Sequence, residues 1–168
     1  MRVVNIHKRK IHQPKEKVSQ LFNTLATKDD QIWPYENWPA IKFNNGIQIG
    51  SKGGHGRIRY TVIQLIEGEY MKFQFSKPKG FTGIHELKVN AVDSLNTEII
   101  HEIRAKTSFK ATILWVLVIR WLHDALIEDA FDKVENYFTN GQKATEHSSW
   151  VKLLREVYKR KSFRTKLA

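Results

Sequence analysis

Between residues 57 and 109 the chain alternates apolar and polar side chains in four successive runs, with only a few turn-forming residues between them. Arg57 to Ile66 places Ile58, Tyr60 and Val62 on one face, and Tyr70 to Ser76 does the same with Met71, Phe73 and Phe75. Phe81 to Val92 aligns His85, Leu87 and Val89, and Thr97 to Phe109 aligns Ile99, His101, Ile103 and Ala105. A period of two marks a strand with one buried face. The separators Glu67-Gly68-Glu69, Lys77-Pro78-Lys79-Gly80 and Asp93-Ser94-Leu95-Asn96 carry turn chemistry. Connections this short join antiparallel neighbours, so the runs predict a meander with one dry face. Glu86, Glu98 and Glu102 fall on the other face by parity.

Upstream, residues 2 to 11 are rich in Val and Ile and read as a first strand. Pro14 suits the first turn of a helix, and Val18, Leu21, Phe22 and Leu25 follow at helical spacing. A second short helix or turn then leads to Trp33. Trp33-Pro34 and Trp38-Pro39 set two indoles on extended or turned backbone, since a residue before proline avoids the helical region. Ala40 to Phe43 reads as a short strand. Gly50 to Arg59, GSKGGHGRIR, surrounds His55 with four glycines and reads as a loop at the mouth of the sheet: either a tight structural loop or a gate for a ligand. It precedes a strand and lacks the phosphate-loop spacings, so a nucleotide cofactor is not expected.

Downstream, residues 110 to 139 predict one long helix, with Asn140-Gly141 as its stop. Its polar stripe is Arg120, Asp124, Glu128, Asp132 and Glu135. Trp115, Ile119, Leu122, Leu126, Ala130, Val134 and Tyr137 lie opposite, toward a core. Ile113 to Ile119, ILWVLVI, is too short to span a membrane and reads as buried helix. Residues 142 to 149 are linker-like. Trp150, Leu153, Leu154, Val157, Tyr158 and Phe163 then restart a helical pattern among cations.

The 168 residues fit one domain and a tail, divided here at 1–140 and 141–168. There is no cysteine, which excludes disulfides and thiolate metal sites. With no apolar leader at the N-terminus, the expected location is cytoplasmic. The net charge of +11 is uneven, with seven cations against one anion in the last nineteen residues.

The order of elements, a strand, a helix, a glycine loop, antiparallel strands and one long helix, resembles the START-like, helix-grip superfamily (SRPBCC), which includes the pollen-allergen and polyketide cyclase/dehydrase-type proteins. The resemblance covers about residues 2 to 139. Gly53-Gly54-His55-Gly56 is similar to the glycine-rich loop of the pollen-allergen branch. Together with Trp33-Pro34, Trp38-Pro39, Ile58-Arg59-Tyr60, Gly83-Ile84-His85 and His123-Asp124-Ala125, it resembles a bacterial subgroup without a settled activity. The resemblance implies an α+β helix-grip fold. Six or seven curved antiparallel strands would wrap a long C-terminal helix, with two short helices after the first strand and a further basic helix at the end. It also implies an apolar cavity for a lipid, polyketide or similar molecule.

His85 and His101 lie on neighbouring strands, both facing inward, and should be cross-strand or diagonal neighbours about 5 to 8 Å apart. They are either core histidines that satisfy each other or ligand contacts with acid–base capacity. With Tyr60 they are the candidate catalytic groups. His55 and His123 are placed at the cavity mouth. Trp33, Trp38, Phe73, Phe75 and Trp115, with Ile119 and Leu122, are candidate cavity walls or plain core. No ligand motif at short spacing occurs, so neither a metal nor a cofactor is expected.

The expected function is non-catalytic binding of a small hydrophobic molecule. The alternatives are a cyclase, dehydratase or hydrolase using the cavity histidines, and a membrane-surface or protein-interaction module. The last would act through Trp150, Lys152, Arg155, Lys159, Arg160 and Lys161. Nucleic acid is not an expected partner.

Overall fold

The computed structural model describes the backbone of residues 1–166 and the side chains of residues 1–158. Strand β1 (Arg2–Ile11) and helix α1 (Lys15–Phe22) come first, followed by β2 (Lys42–Phe43), β3 (Lys52–His55), β4 (Ile58–Ile66), β5 (Tyr70–Lys77), β6 (Phe81–Asp93) and β7 (Asn96–Thr107). The seven strands form one antiparallel sheet in the order β1-β7-β6-β5-β4-β3-β2, so the first strand pairs with the last. A helical run then crosses the sheet. It comprises α2 (Phe109–Leu114), a π-helical turn (Trp115–Ile119) and α3 (Arg120–Thr139). Ser108 caps its start by accepting from the Ala111 amide, and Asn140 ends it in the left-handed region at φ 51°. The fold is the helix-grip fold.

The inward faces agree with the alternation. Tyr60, Val62, Met71, Phe73, Leu87, Val89 and Ile99 are buried in one apolar cluster with Val18, Leu21 and Phe22 of α1 and Leu126, Phe131 and Val134 of α3. A smaller cluster joins Val3, Phe81, Ile103, Ala105, Ala111 and Trp115.

Four expectations are corrected. Turns, not a second helix, follow α1; carboxylate oxygens of Asp30 accept from the amides of Ala26, Ile32 and Trp33 and hold the chain there. The glycine stretch is mostly strand, not loop. A Cβ on Gly53 would run into Lys42 and Phe43 of β2, and Gly56 turns the chain at φ 51°. The ILWVLVI run is not buried: Trp115 packs inward, but Ile113, Val116 and Leu117 are exposed, Leu117 at 53 %. A helix has only one side against a sheet, so a run apolar all round must show the rest to solvent. Tyr137, expected on the core face, is exposed.

The acidic stripe of α3 faces β1. The inward face of β1 carries Asn5, His7 and Arg9 between buried Val3 and Ile11. Asn5 Nδ2 donates to Asp124 Oδ1 at 3.0 Å, and the two His7 ring nitrogens lie 3.0 Å from Asp124 and 2.9 Å from Glu128. The Arg9 guanidinium donates to Glu128, Asp132 and Glu135 at 2.7–2.9 Å. The match is one of rise. Residues 5 to 9 of a strand and 124 to 132 of a helix both climb roughly 12–13 Å. Each step of two along β1 therefore meets the next carboxylate of the i, i+4 series.

On the outer face Glu86 and Glu102 stand directly opposite each other and are nevertheless buried. Tyr70 donates to Glu86 at 2.6 Å, Lys88 lies 2.5 Å from Glu86, and Arg104 pairs with Glu102. Residues 141–148 run back along α3, held by Thr145 on Asp132 and His147 on Asp129. Helix α4 (Ser149–Lys166) docks by Val151 and Leu154, with Trp150, Leu153 and Val157 exposed.

Candidate functional site: a row of buried histidines

The sheet brings inward-facing rings from five strands into one row, and α3 adds another from above. His55 (β3), Tyr60 (β4), Phe73 and Phe75 (β5), His85 (β6) and His101 (β7) follow the strand order, and His7 of β1 pairs in register with His101. Successive ring centroids are close: Trp33–His55 4.7 Å, His55–Tyr60 6.1 Å, Tyr60–His85 4.6 Å and His85–His101 5.6 Å. His123 continues the row, 4.9 Å from His101 and 5.7 Å from His7. His85 stacks between Phe73 at 4.7 Å and Phe75 at 4.9 Å. Phe73 belongs to the larger apolar cluster and Phe75 packs on the smaller, so the row divides the core.

The row is poor in hydrogen bonds. His85 and His101 are diagonal neighbours joined Nδ1 to Nε2 at 3.4 Å. Tyr60 Oη, His85 Nε2, His101 Nδ1 and both ring nitrogens of His123 are buried without a protein hydrogen-bond partner. Tyr60, His85 and His101 are exposed by only 1 %, 9 % and 7 %. Each orphaned group costs about 1–3 kcal/mol if nothing meets it.

Burial sets the protonation. It pushes His55 down to about 3, helped by the positive fields of His123 and Arg59. It drives His85 and His101 well below 6.5, with neighbouring imidazoles adding to the effect. His123 is lowered by burial against the opposing pull of Asp124, and the Tyr60 phenol is pushed up by burial. At neutral pH the row is therefore uncharged, and each imidazole has one N–H and one lone pair to offer. His7 at its end differs. Burial opposes its charge, but hydrogen bonds to Asp124 and Glu128 outweigh burial and raise its pKa. Asp124 is held far below the usual carboxylate range; burial alone would raise it, and His123, His7 and Asn5 reverse the sign.

Two clefts lie outside the row. A cleft of about 340 Å³ is lined by Asn44, Asn45, Gln48–Lys52, outside the row. A second, of about 310 Å³ and mostly apolar, is lined by residues including Ala26, Tyr35, Ile41 and Trp33. Trp33 also packs on His55, so this one indole adjoins both the cleft and the row.

The sequence candidates are only partly brought together. Trp33, His55, Tyr60, Phe73, Phe75, His85, His101 and His123 join the row, and Trp115 meets it 6.3 Å from His123. Trp38 does not: its indole donates to Asp129 at 2.7 Å and lies beneath the Arg155 guanidinium, where it seats α4. Ile119 packs with the Trp115 cluster, and Leu122 is half-buried on the helix. His7 and its partners were missed. Period-two reading of β1 exposes them, since Asn5, His7 and Arg9 share parity with Val3 and Ile11. In the tail, Trp150 donates to the Leu117 carbonyl, Arg155 to that of Asn37, and Lys152 is exposed. The side chains of Lys159, Arg160, Lys161 and Phe163 lie outside the described residues.

No protein-family model and no curated protein matches this sequence. Solved structures match the fold. A protein from Thermobifida fusca, 11 % identical, superposes with a TM-score of 0.63 over 86 % of this chain and 99 % of its own. Norcoclaurine synthase from Thalictrum flavum, in complex with dopamine and hydroxybenzaldehyde, is 11 % identical with a TM-score of 0.62, covering 85 % and 90 %. A conserved protein of unknown function from Enterococcus faecalis is 10 % identical with a TM-score of 0.58, covering 97 % and 86 %. The chain thus shares the helix-grip fold of these structures.

Proposed function

We propose that this protein binds a small neutral molecule, largely apolar or aromatic and bearing hydroxyl or carbonyl groups, between the sheet and the long helix. The observation that carries this reading is the set of orphaned atoms on Tyr60, His85, His101 and His123. Four side chains from three strands and the helix turn unmet polar atoms into one aromatic-walled interior. A guest with hydroxyl or carbonyl groups would satisfy them, while its apolar body gains roughly 25 cal/mol per Å² buried. The uncharged state of the row favours a neutral guest over an ion. The likeness to a synthase that holds dopamine and hydroxybenzaldehyde is support from fold alone. Entry would pass Trp33, from the apolar cleft to His55.

The test is a titration with the neutral dye Nile red, competed with phenols and aromatic aldehydes such as 4-hydroxybenzaldehyde. One saturable, competable site is expected. It should weaken about tenfold or more in His101→Gln, since losing a buried polar contact costs about 1.4 kcal/mol or more, and stay unchanged in the surface variant Leu117→Lys. No saturable site, or one abolished only by Leu117→Lys, contradicts the reading.

A second reading, contact with an anionic membrane surface, is favoured by a separate feature. Phe109, Ile113, Val116, Leu117 and Trp121 are all exposed along one helix, Phe109 at 81 %, and Trp150, Leu153 and Val157 of α4 are exposed as well. Lys110, Arg120 and Lys152 stand among them. Among the described residues, no helix is long and apolar enough to cross a membrane. Vesicles of mixed phosphatidylglycerol and phosphatidylcholine should sediment the wild type and release it at high salt. Loss of binding in Leu117→Glu, with ligand binding intact, would separate the two readings.

A further inference from the structure

We propose that His7, His123 and Asp124 form a three-ligand site for one divalent transition-metal ion, zinc foremost, in the seam between β1 and α3. One donor atom from each residue lies within 4.8 Å of the others. Ligands about 2.0–2.1 Å from a tetrahedral ion stand roughly 3.3 Å apart. His7 Nε2 is 3.0 Å and His123 Nδ1 3.5 Å from the same Asp124 oxygen, so two of the three edges already have that length. The third edge, between the two imidazoles, lies within 4.8 Å.

Three further observations point the same way. Both ring nitrogens of His123 are buried, Nε2 unpartnered and Nδ1 meeting only Asp124, at 3.5 Å, so this side chain has lone-pair capacity that the fold leaves largely unused. Glu128 Oε1 lies 2.9 Å from His7 Nδ1 and accepts there, so Nε2, 3.0 Å from Asp124, is the nitrogen that would give up its proton to a metal ion. A carboxylate behind a ligating imidazole is the usual way of fixing its tautomer and raising its basicity. Asn5 Nδ2 donates to Asp124 and orients that ligand too. Third, the site is reachable: the Asp124 and Glu128 side chains are about one-third exposed. Two imidazoles and one carboxylate suit zinc and its first-row neighbours rather than calcium or magnesium. Three protein ligands leave a fourth position for water or a small-molecule oxygen.

No short-spaced motif marks this set, because its ligands come from residue 7 and residues 123–124, which only the β1–α3 contact joins. The site does not depend on the small-molecule reading. The alternative is that His7, held between two carboxylates, completes a purely structural clasp.

The test is calorimetric titration of tag-free, chelator-stripped full-length protein with zinc chloride, alongside cobalt(II) chloride followed by visible absorption. One equivalent should bind with micromolar affinity or better, cobalt should give the intense bands of a four-coordinate ion, and zinc should raise the melting temperature. Asp124→Asn and His123→Gln should each weaken binding at least tenfold, and His55→Gln should leave it unchanged. If either ligand variant fails to fold, Glu128→Gln keeps all three donors and should still weaken zinc by about 10–100-fold. No binding near one equivalent, octahedral cobalt spectra, or equal affinity in these variants overturns the proposal.

Discussion

At the scale of single residues the account turns on groups that carry a cost in the folded state. Tyr60 Oη is buried with no partner, so Tyr60→Phe removes an unmet hydroxyl while keeping the ring. We expect the variant to be as stable as the wild type or up to about 1 kcal/mol more stable by urea unfolding, and to bind a phenolic guest more weakly. A structural hydroxyl would give the reverse, with lost stability and unchanged binding. His85 has a folded-state pKa well below the unfolded value of 6.5, because burial disfavours its charged form. The unfolded chain therefore takes up a proton that the native state refuses. This contribution is fully present above pH 6.5 and is lost as pH falls below it, at up to about 1.4 kcal/mol per pH unit for one group. His55 adds to the same slope down to about pH 3. Urea midpoints between pH 7.5 and 4.5 should fall with acidification, and His85→Gln should flatten that fall.

At the scale of elements, the β1–α3 seam is a prediction in itself. Asp132 is almost fully buried and meets Arg9 at 2.9 Å as well as Thr145. Arg9→Met leaves Asp132, Glu135 and Glu128 without their shared cation and should cost about 3 kcal/mol, since breaking a buried pair strands a charge. Equilibrium unfolding measures this; a loss under about 0.5 kcal/mol would mean the seam is solvent-screened. This element also shows why the sequence is only partly legible. The strands are plain because a period of two survives wherever one face is dry, and that parity also turns His85 and His101 inward. The seam was hidden because charged residues on a helix read as a solvated face, and nothing local says that Asn5, His7 and Arg9 will be laid against them. The exposed ILWVLVI run was hidden for the opposite reason. Hydropathy counts apolar residues but does not say which side of the helix the sheet will cover.

At the scale of the whole molecule, the sheet and the helical run grip each other differently along their length. One end is closed by the Trp115 cluster, the other by the larger apolar core, and the seam shuts one long edge. The imidazole row lies between, uncharged and short of partners, with Trp33 between it and an open apolar cleft. This layout combines a rigid frame with a polar interior that lacks its complement, which suits capture of a small molecule. The most direct measurement is NMR of the histidine side-chain nitrogens during titration with neutral phenols and aromatic aldehydes. The account predicts saturable shifts at His85, His101 and His123, with the solvent-facing His12 unmoved. Unmoved signals from the buried row across the whole panel, or shifts confined to surface residues, would contradict it.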